Sequence, residues 1–134
     1  MSTEARQPYD IPFGLQGPVS PARARDHVRA LVDRELSRPP EASRLNDLLL
    51  VVSELVTNAV RHGGGVASCG VRLDSDARVI VLEVADYSTV HPATSQAGDF
   101  TPGGFGWPII TRLSTDVTVT PRSGGKTISV SFQL

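Results

Sequence analysis

The chain has 134 residues, of which 40% are hydrophobic and 20% are charged, and its formal net charge is -1. This length suits one domain with its own hydrophobic core, and the composition excludes global disorder. The near-balance of 13 basic and 14 acidic residues gives no electrostatic basis for nucleic acid as the main partner.

Cysteine content and hydropathy restrict the protein class further. Cys69 is the single cysteine, which excludes a disulfide or a cysteine-based zinc site within the chain. The N-terminus is polar and lacks the apolar core of a signal peptide. No segment approaches the roughly 18 apolar residues that a membrane helix requires. We therefore expect a cytoplasmic protein without a membrane-bound part.

Turn-forming residues and apolar periodicity predict the elements in chain order. Ser20 followed by Pro21 is typical of a helix N-cap and first turn, and Pro39 and Pro40 are expected to end that helix. Glycines at 63–65 are expected to end a second helix with a wide apolar stripe. The expected elements are a flexible tail at 1–8, a strand near 9–15, helices from 21 and from 41–43, strands at 66–73 and 78–85, a loop at 86–104, a helix near 107–113, and strands at 116–120 and 127–133.

This order of elements predicts one α+β domain over residues 9–134. Strands that come in adjacent pairs, separated by helices, are typical of a sheet with helices packed against it. We therefore expect a two-layer α/β sandwich, with the helices on one face of a mixed, mostly antiparallel sheet. The loop at 86–104 is long for a compact domain, and such loops are usually functional or mobile.

Polar side chains occupy one face of the second predicted helix. Glu54 and Asn58 are four residues apart, so they share a face one turn apart, and Arg61 and His62 continue that face. A merely solvated helix face explains this stretch equally well when it is considered alone. An amide oxygen, however, is a ligand that Mg²⁺ accepts beside phosphate oxygens. A carboxylate one turn away suits a base for an attacking hydroxyl.

Three further segments bear on nucleotide chemistry. Asp86 ends an apolar strand, where its carboxylate either accepts a hydrogen bond from an exocyclic amine such as that of adenine or merely opens a turn. The glycine cluster at 103–106 precedes a helix and suits a phosphate cradle, although most such clusters are only turns. Residues 125–127 are not a Walker A loop, because Thr120 replaces the required upstream glycine and no helix follows.

Taken in order, these segments resemble the Bergerat (GHKL, histidine kinase-like) ATP-binding fold. More narrowly, they are similar to the anti-sigma regulatory factor serine kinases, the RsbW/SpoIIAB-like group. Residues 50–63 resemble the N-box of that group almost throughout, and Asp86 with Ser88 resembles its shortened second box. Gly104 and Gly106 resemble its glycine box, and residues 125–127 resemble its closing segment. The resemblance covers residues 9–134.

The resemblance implies a role for individual residues. Glu54 would be the catalytic base, Asn58 the Mg²⁺ ligand, and Asp86 the carboxylate that recognises adenine. Thr127 would support the adenine, and the glycine box would line the phosphate lid. The cofactors implied are ATP and Mg²⁺, and the implied cofactor-binding residues are Asn58, Arg61, His62, Asp86, Gly104, Gly106 and Thr127.

The resemblance also implies partners. Proteins of this group bind a sigma factor and phosphorylate a serine or threonine of a STAS-domain antagonist, and they often form homodimers. Direct contact with nucleic acid or membrane is not expected. Phe105 replaces the arginine between the glycines of the family pattern, Trp107 replaces the leucine after them, and Pro108 follows. These departures favour the alternative, a non-catalytic module of the same fold that regulates a partner by sequestration alone.

Overall fold

A computed structural model describes residues 13–15, 19–92 and 106–134. In these ranges the chain forms β1 (Phe13–Leu15), α1 (Pro21–Glu35), α2 (Ala42–His62), β2 (Val66–Asp74), β3 (Val79–Asp86), α3 (Gly106–Leu113), β4 (Asp116–Arg122) and β5 (Gly125–Gln133). This order confirms the predicted α+β class. The predicted tail at 1–8, most of the strand near 9–15, and Gly104 and Phe105 lie outside the described residues.

The strands form one sheet in the order β1-β2-β3-β5-β4. All four pairings are antiparallel, so the described part of the sheet contains no parallel pair, whereas the sequence predicted a mixed, mostly antiparallel sheet. Short connections explain much of this, since residues 75–78 join β2 to β3 and residues 123–124 join β4 to β5. Parallel neighbours require a long crossover, whereas antiparallel neighbours need only a tight turn.

The hydrophobic core lies between the sheet and the helices. Alternate side chains of the two central strands, β3 and β5, are buried, as expected for a sheet with one covered face. These strand residues, each at most 4% exposed, are Ile80, Leu82, Val84, Ile128, Val130 and Phe132. The helix residues in the same cluster include Ala24, Val28, Leu31, Val32, Leu48, Leu49, Val52, Leu55, Val56, Ala59 and Ile110. The predicted apolar stripe of the second helix is thereby confirmed, and α1 buries one as well.

Both long helices begin where the sequence predicts, but α1 ends early. The Oγ of Ser20 accepts the backbone N–H of Arg23 at 3.1 Å, which confirms the N-cap. Helix α1 ends at Glu35 and not at the prolines, because Leu36 turns into the core in an extended conformation. Helix α2 ends at His62, directly before the glycines that were expected to end it. No helix among the described residues combines the length and the apolar character needed to cross a membrane.

Cys69 lies in β2 and is expected to be chemically inert in the folded protein. Burial raises the pKa of its thiol to about 11, and the thiolate is the form that reacts. At about pH 8 we expect alkylation by iodoacetamide to be about a hundred-fold slower than for an ordinary thiol. The same protein unfolded in guanidinium chloride provides the control. Equal rates in the folded and unfolded states would show that the thiol is not buried.

Candidate functional site

The carboxylate of Asp86 is completely buried at the end of β3. Its Oδ1 accepts the backbone N–H of Ser88 at 2.9 Å and the ammonium of Lys126 at 3.1 Å. Its Oδ2 lies 3.0 Å from the same ammonium but accepts no hydrogen bond among the described residues. A carboxylate buried without compensation is very costly. Lys126 therefore makes the buried position of Asp86 tolerable, and Oδ2 retains an unused acceptor.

Two glycines allow the backbone to pack closely around Asp86. A Cβ atom on Gly63 would lie 2.5 Å from Oδ2, and one on Gly125 would overlap the carbonyl oxygen of Asp86. The carbonyl of Gly63 also accepts the N–H of Tyr87 at 2.8 Å. The last turn of α2 is therefore fixed against the end of β3. Glycine at these two positions lets two parts of the chain approach each other closely.

The predicted polar face of α2 is only partly exposed to solvent. Asn58 is 4% exposed, Glu54 and His62 are half-buried, and Arg61 is exposed. A polar amide is rarely buried on a face that serves only solubility, because burial removes its hydration. The alternative of a merely solvated helix face therefore fails at Asn58.

Glu54 packs against the first turn of α3. A Cβ atom on Gly106, the first residue of that helix, would overlap Oε1 of Glu54. Burial raises the pKa of the Glu54 carboxyl, and the positive charge of Arg61 opposes part of that rise. A carboxylate with a raised pKa is a better proton acceptor near neutral pH than an ordinary glutamate. The structure thus places Glu54 and Gly106 together, and the role of Glu54 as a base stays a prediction.

Thr127 lies on the opposite side of the sheet from the Asp86 carboxylate. Neighbouring strand residues alternate between faces, and Thr127 is in register with Ala85, whereas Lys126 is in register with Asp86. Thr127 lines an open groove on the uncovered face of the sheet, together with Glu83 and Ser129. The structure therefore brings Lys126, and not Thr127, to the carboxylate. The adenine contact of Thr127 stays a prediction.

Two basic residues at this site were not expected from the sequence. Besides the contact of Lys126, the guanidinium of Arg122 donates to the carbonyl oxygen of Asp86 at 2.7 Å. Both residues belong to the β4–β5 hairpin. Arg122 lies 36 residues and Lys126 lies 40 residues after Asp86 in the chain. For Lys126 the sequence offered one signal of a special role, because it is the only lysine among the 13 basic residues.

The structure describes only some of the residues at which the chain departs from the glycine-box pattern. Gly104 and Phe105 lie outside the described residues, so the predicted phosphate contact of Gly104 is not placed. Trp107 is half-buried, packs against the core, and meets the ring of His91 edge-on at a centroid distance of 6.0 Å. Pro108 lies in the first turn of α3, where a proline is tolerated. The described departures are thus compatible with a regular helix and a packed core.

Comparison with known families agrees with this geometry. The family model of the histidine kinase-like ATPase domain matches residues 18–132. The match runs from the residues before α1 almost to the end of β5, so it includes every residue of the site described above. A comparison with curated proteins gives no match.

Proposed function

The chain belongs to the histidine kinase-like ATPase domain family, and we propose that it is an ATP-dependent protein kinase. In this proposal it phosphorylates a serine or threonine of a STAS-type anti-sigma-factor antagonist and sequesters a sigma factor. One observation carries the catalytic part of the proposal. Glu54 is half-buried with a raised pKa, against the first residue of α3 and one turn from the buried Asn58.

The described residues fit ATP and Mg²⁺. Oδ2 of Asp86 is a buried acceptor without a hydrogen bond in the described part of the chain, which suits the exocyclic amine of adenine. The amide of Asn58 would hold Mg²⁺, a cation that binds oxygen ligands and is usually shared with phosphates. Gly106 would lie beside the phosphates, at the positive end of the α3 dipole. When bound, ATP supplies the phosphoryl group that is transferred.

Glu54 would take the proton from the hydroxyl of the protein substrate. Phosphoryl transfer depends mainly on positioning and electrostatic stabilisation, and a base orients the nucleophile and removes its proton. The raised pKa of Glu54 brings its proton affinity closer to the pH at which it would act, which improves general-base catalysis. The packing of Gly106 against its carboxylate limits its motion, so the base is held in one position.

A protein substrate is supported by the surface around the site. Tyr87 directly follows Asp86 and is 58% exposed, and Val90, four residues after Asp86, is 47% exposed. Apolar side chains grouped beside a site are common where a partner docks. The identity of the partners rests on the resemblance of the N-box to that of the anti-sigma regulatory kinases.

The second candidate function is a non-catalytic binding module that sequesters a partner. The observation that favours it is the ion pair of Asp86 with Lys126, in which the side chains are only 1% and 5% exposed. A carboxylate already paired inside the protein is a poor adenine receptor unless the pair opens. The two functions differ in nucleotide binding, which a titration measures directly.

Asn58→Ala is expected to weaken the binding of ATP with Mg²⁺ by about ten-fold or more, because the variant loses the ligand for the cation. Isothermal titration calorimetry measures this, and phosphorylation of candidate STAS-domain proteins follows it. Asn46→Ala is the matched control, since Asn46 lies on the exposed side of the same helix. Wild-type protein that binds no ATP at millimolar concentration would exclude the kinase and favour the sequestration module.

A further inference from the structure

We propose that Lys126 gates adenine recognition: its ammonium holds the carboxylate of Asp86 in the free protein and must leave before an exocyclic amine can bind there. The inference rests on the proposed nucleotide site. It assigns a specificity-determining role to Lys126, which lies outside the predicted site. It explains how the carboxylate of Asp86 becomes free to bind the exocyclic amine.

The contacts of Lys126 converge on the end of β3. Its Nζ donates to Oδ1 of Asp86 at 3.1 Å and to the carbonyl oxygen of Ser88 at 3.3 Å, and it lies 3.0 Å from Oδ2 of Asp86. Oδ2 accepts no hydrogen bond from the described residues, but the ammonium lies 3.0 Å from it and the backbone of Gly63 packs against the same atom, so an incoming amine reaches Oδ2 only when the ammonium moves. Lys126 is only 4% exposed, which is rare for a lysine without a charged partner.

Access to Asp86 requires a group to move, because the residue has no exposed surface. The backbone of Gly63 packs against Oδ2, and Oδ1 accepts hydrogen bonds from the N–H of Ser88 and the ammonium of Lys126. The first two belong to backbone, and Gly63 is also bonded to Tyr87. The lysine ammonium is the end of a flexible four-carbon chain. Lys126 is therefore the contact that can open without breaking the backbone structure.

The exchange of donors at Asp86 determines the effect on affinity. A charged ammonium makes a stronger hydrogen bond to a carboxylate than the neutral amine of adenine does. Adenine therefore replaces a stronger contact with a weaker one, and the loss is offset only by the hydration that the released ammonium regains. The exocyclic amine should then contribute little net affinity in the wild-type protein. If the ammonium of Lys126 were absent, the carboxylate would discriminate strongly against a purine that lacks the exocyclic amine.

The first experiment uses the wild-type protein. Calorimetric titrations compare ATP with purine riboside triphosphate, which lacks the exocyclic amine, both with Mg²⁺. We expect the two dissociation constants to agree within about five-fold, because the amine exchanges with Lys126 at no net gain. A preference for ATP of about a hundred-fold, the size expected for an unopposed buried acceptor, would overturn the gate.

The second experiment removes the ammonium. Lys126→Met keeps most of the aliphatic chain, and we expect it to bind ATP about ten-fold more tightly and to acquire a preference over the analogue. Arg29→Met, at an exposed arginine of α1, is the control for replacing a basic side chain by methionine away from the site. The control should leave the preference between the two nucleotides unchanged.

The outcomes separate this inference from the proposed function. Folded Lys126→Met that binds ATP no more tightly than wild type contradicts the gate but leaves the nucleotide site in place. If Lys126→Met does not fold, the wild-type comparison of the two nucleotides decides the question by itself. Absence of binding to either nucleotide, in wild type and in Lys126→Met, would contradict the proposed function and the gate together.

Discussion

Glu54→Gln is expected to lower the rate of phosphoryl transfer by about a hundred-fold or more, the usual contribution of a general base. Glutamine keeps the size of the side chain, so its packing against Gly106 is preserved while its ability to accept the proton is lost. Binding of ATP should change by less than about three-fold, because the lost interaction is made only in the transition state. The rate at saturating ATP and the dissociation constant measured by calorimetry test the two parts separately.

The pH dependence of the rate gives an independent check on the same residue. Burial raises the pKa of Glu54 above its ordinary value of 4.5, and the base acts only in its ionised form. The wild-type rate should therefore fall as the pH decreases through this raised pKa. The residual rate of Glu54→Gln should lack that step. An identical acid limb in both proteins would assign the titration to another group.

The melting temperature of Glu54→Gln tests whether a loss of activity in this variant is due to unfolding. A carboxyl whose pKa is raised in the folded state binds its proton more tightly there than in the unfolded chain. Its contribution to stability is therefore present below its ordinary pKa of 4.5 and is lost as the pH rises through the raised value. At about pH 7 the variant should melt at or above the wild-type temperature. Glu35→Gln, at an exposed glutamate of α1, is the control for removing a charge.

Gly125→Ala is expected to lower the free energy of unfolding by about 3 kcal/mol or more. The added Cβ would overlap the carbonyl oxygen of Asp86 and lie 3.1 Å from the Cα of Tyr87. Both neighbours are backbone atoms, so a side-chain rotation cannot relieve the overlap. The central strands β3 and β5 would have to separate at the site. Denaturation by urea, followed by circular dichroism, measures the loss.

The neighbouring glycine provides the control for this variant. Gly124 has a φ of 75°, but a Cβ there meets nothing within 4 Å. Gly124→Ala should therefore cost only the left-handed backbone penalty of about 1–2 kcal/mol. Equal destabilisation by the two substitutions would mean that backbone conformation, and not the close approach to Asp86, explains why position 125 is glycine.

Local sequence patterns predicted most of the elements, because their causes are local. Ser20 and Pro21 determine the start of α1, and the run of glycines determines the end of α2. Asp74 closes the β2–β3 hairpin, since its Oδ1 accepts the N–H groups of Asp76 and Ala77, each at 3.1 Å. The end of α1 was predicted too late, because it depends on Leu36 finding a place in the core.

The site was predictable only to the extent that its residues share one element. The four-residue spacing placed Glu54 and Asn58 on one face of α2, and the structure keeps them there. The pairing of β3 with β5 joins segments 40 residues apart in the chain, and no local pattern records it. That pairing brings Lys126 to Asp86 and turns Thr127 to the other face. Lys126 and Thr127 are thus neighbours in β5 that face opposite sides of the sheet, and the adenine contact of Thr127 stays a prediction.

The buried pair of Asp86 and Lys126 also limits how this sequence can evolve. Removing one partner leaves an uncompensated buried charge, which typically costs about 3–5 kcal/mol, a large part of the 5–15 kcal/mol or so that stabilises a domain. Replacing both with neutral side chains of similar volume carries no such penalty. A lineage that abandons nucleotide recognition can therefore lose Asp86 only through a coordinated change at position 126. In such a lineage the carboxylate would persist for structural reasons alone until that change occurs.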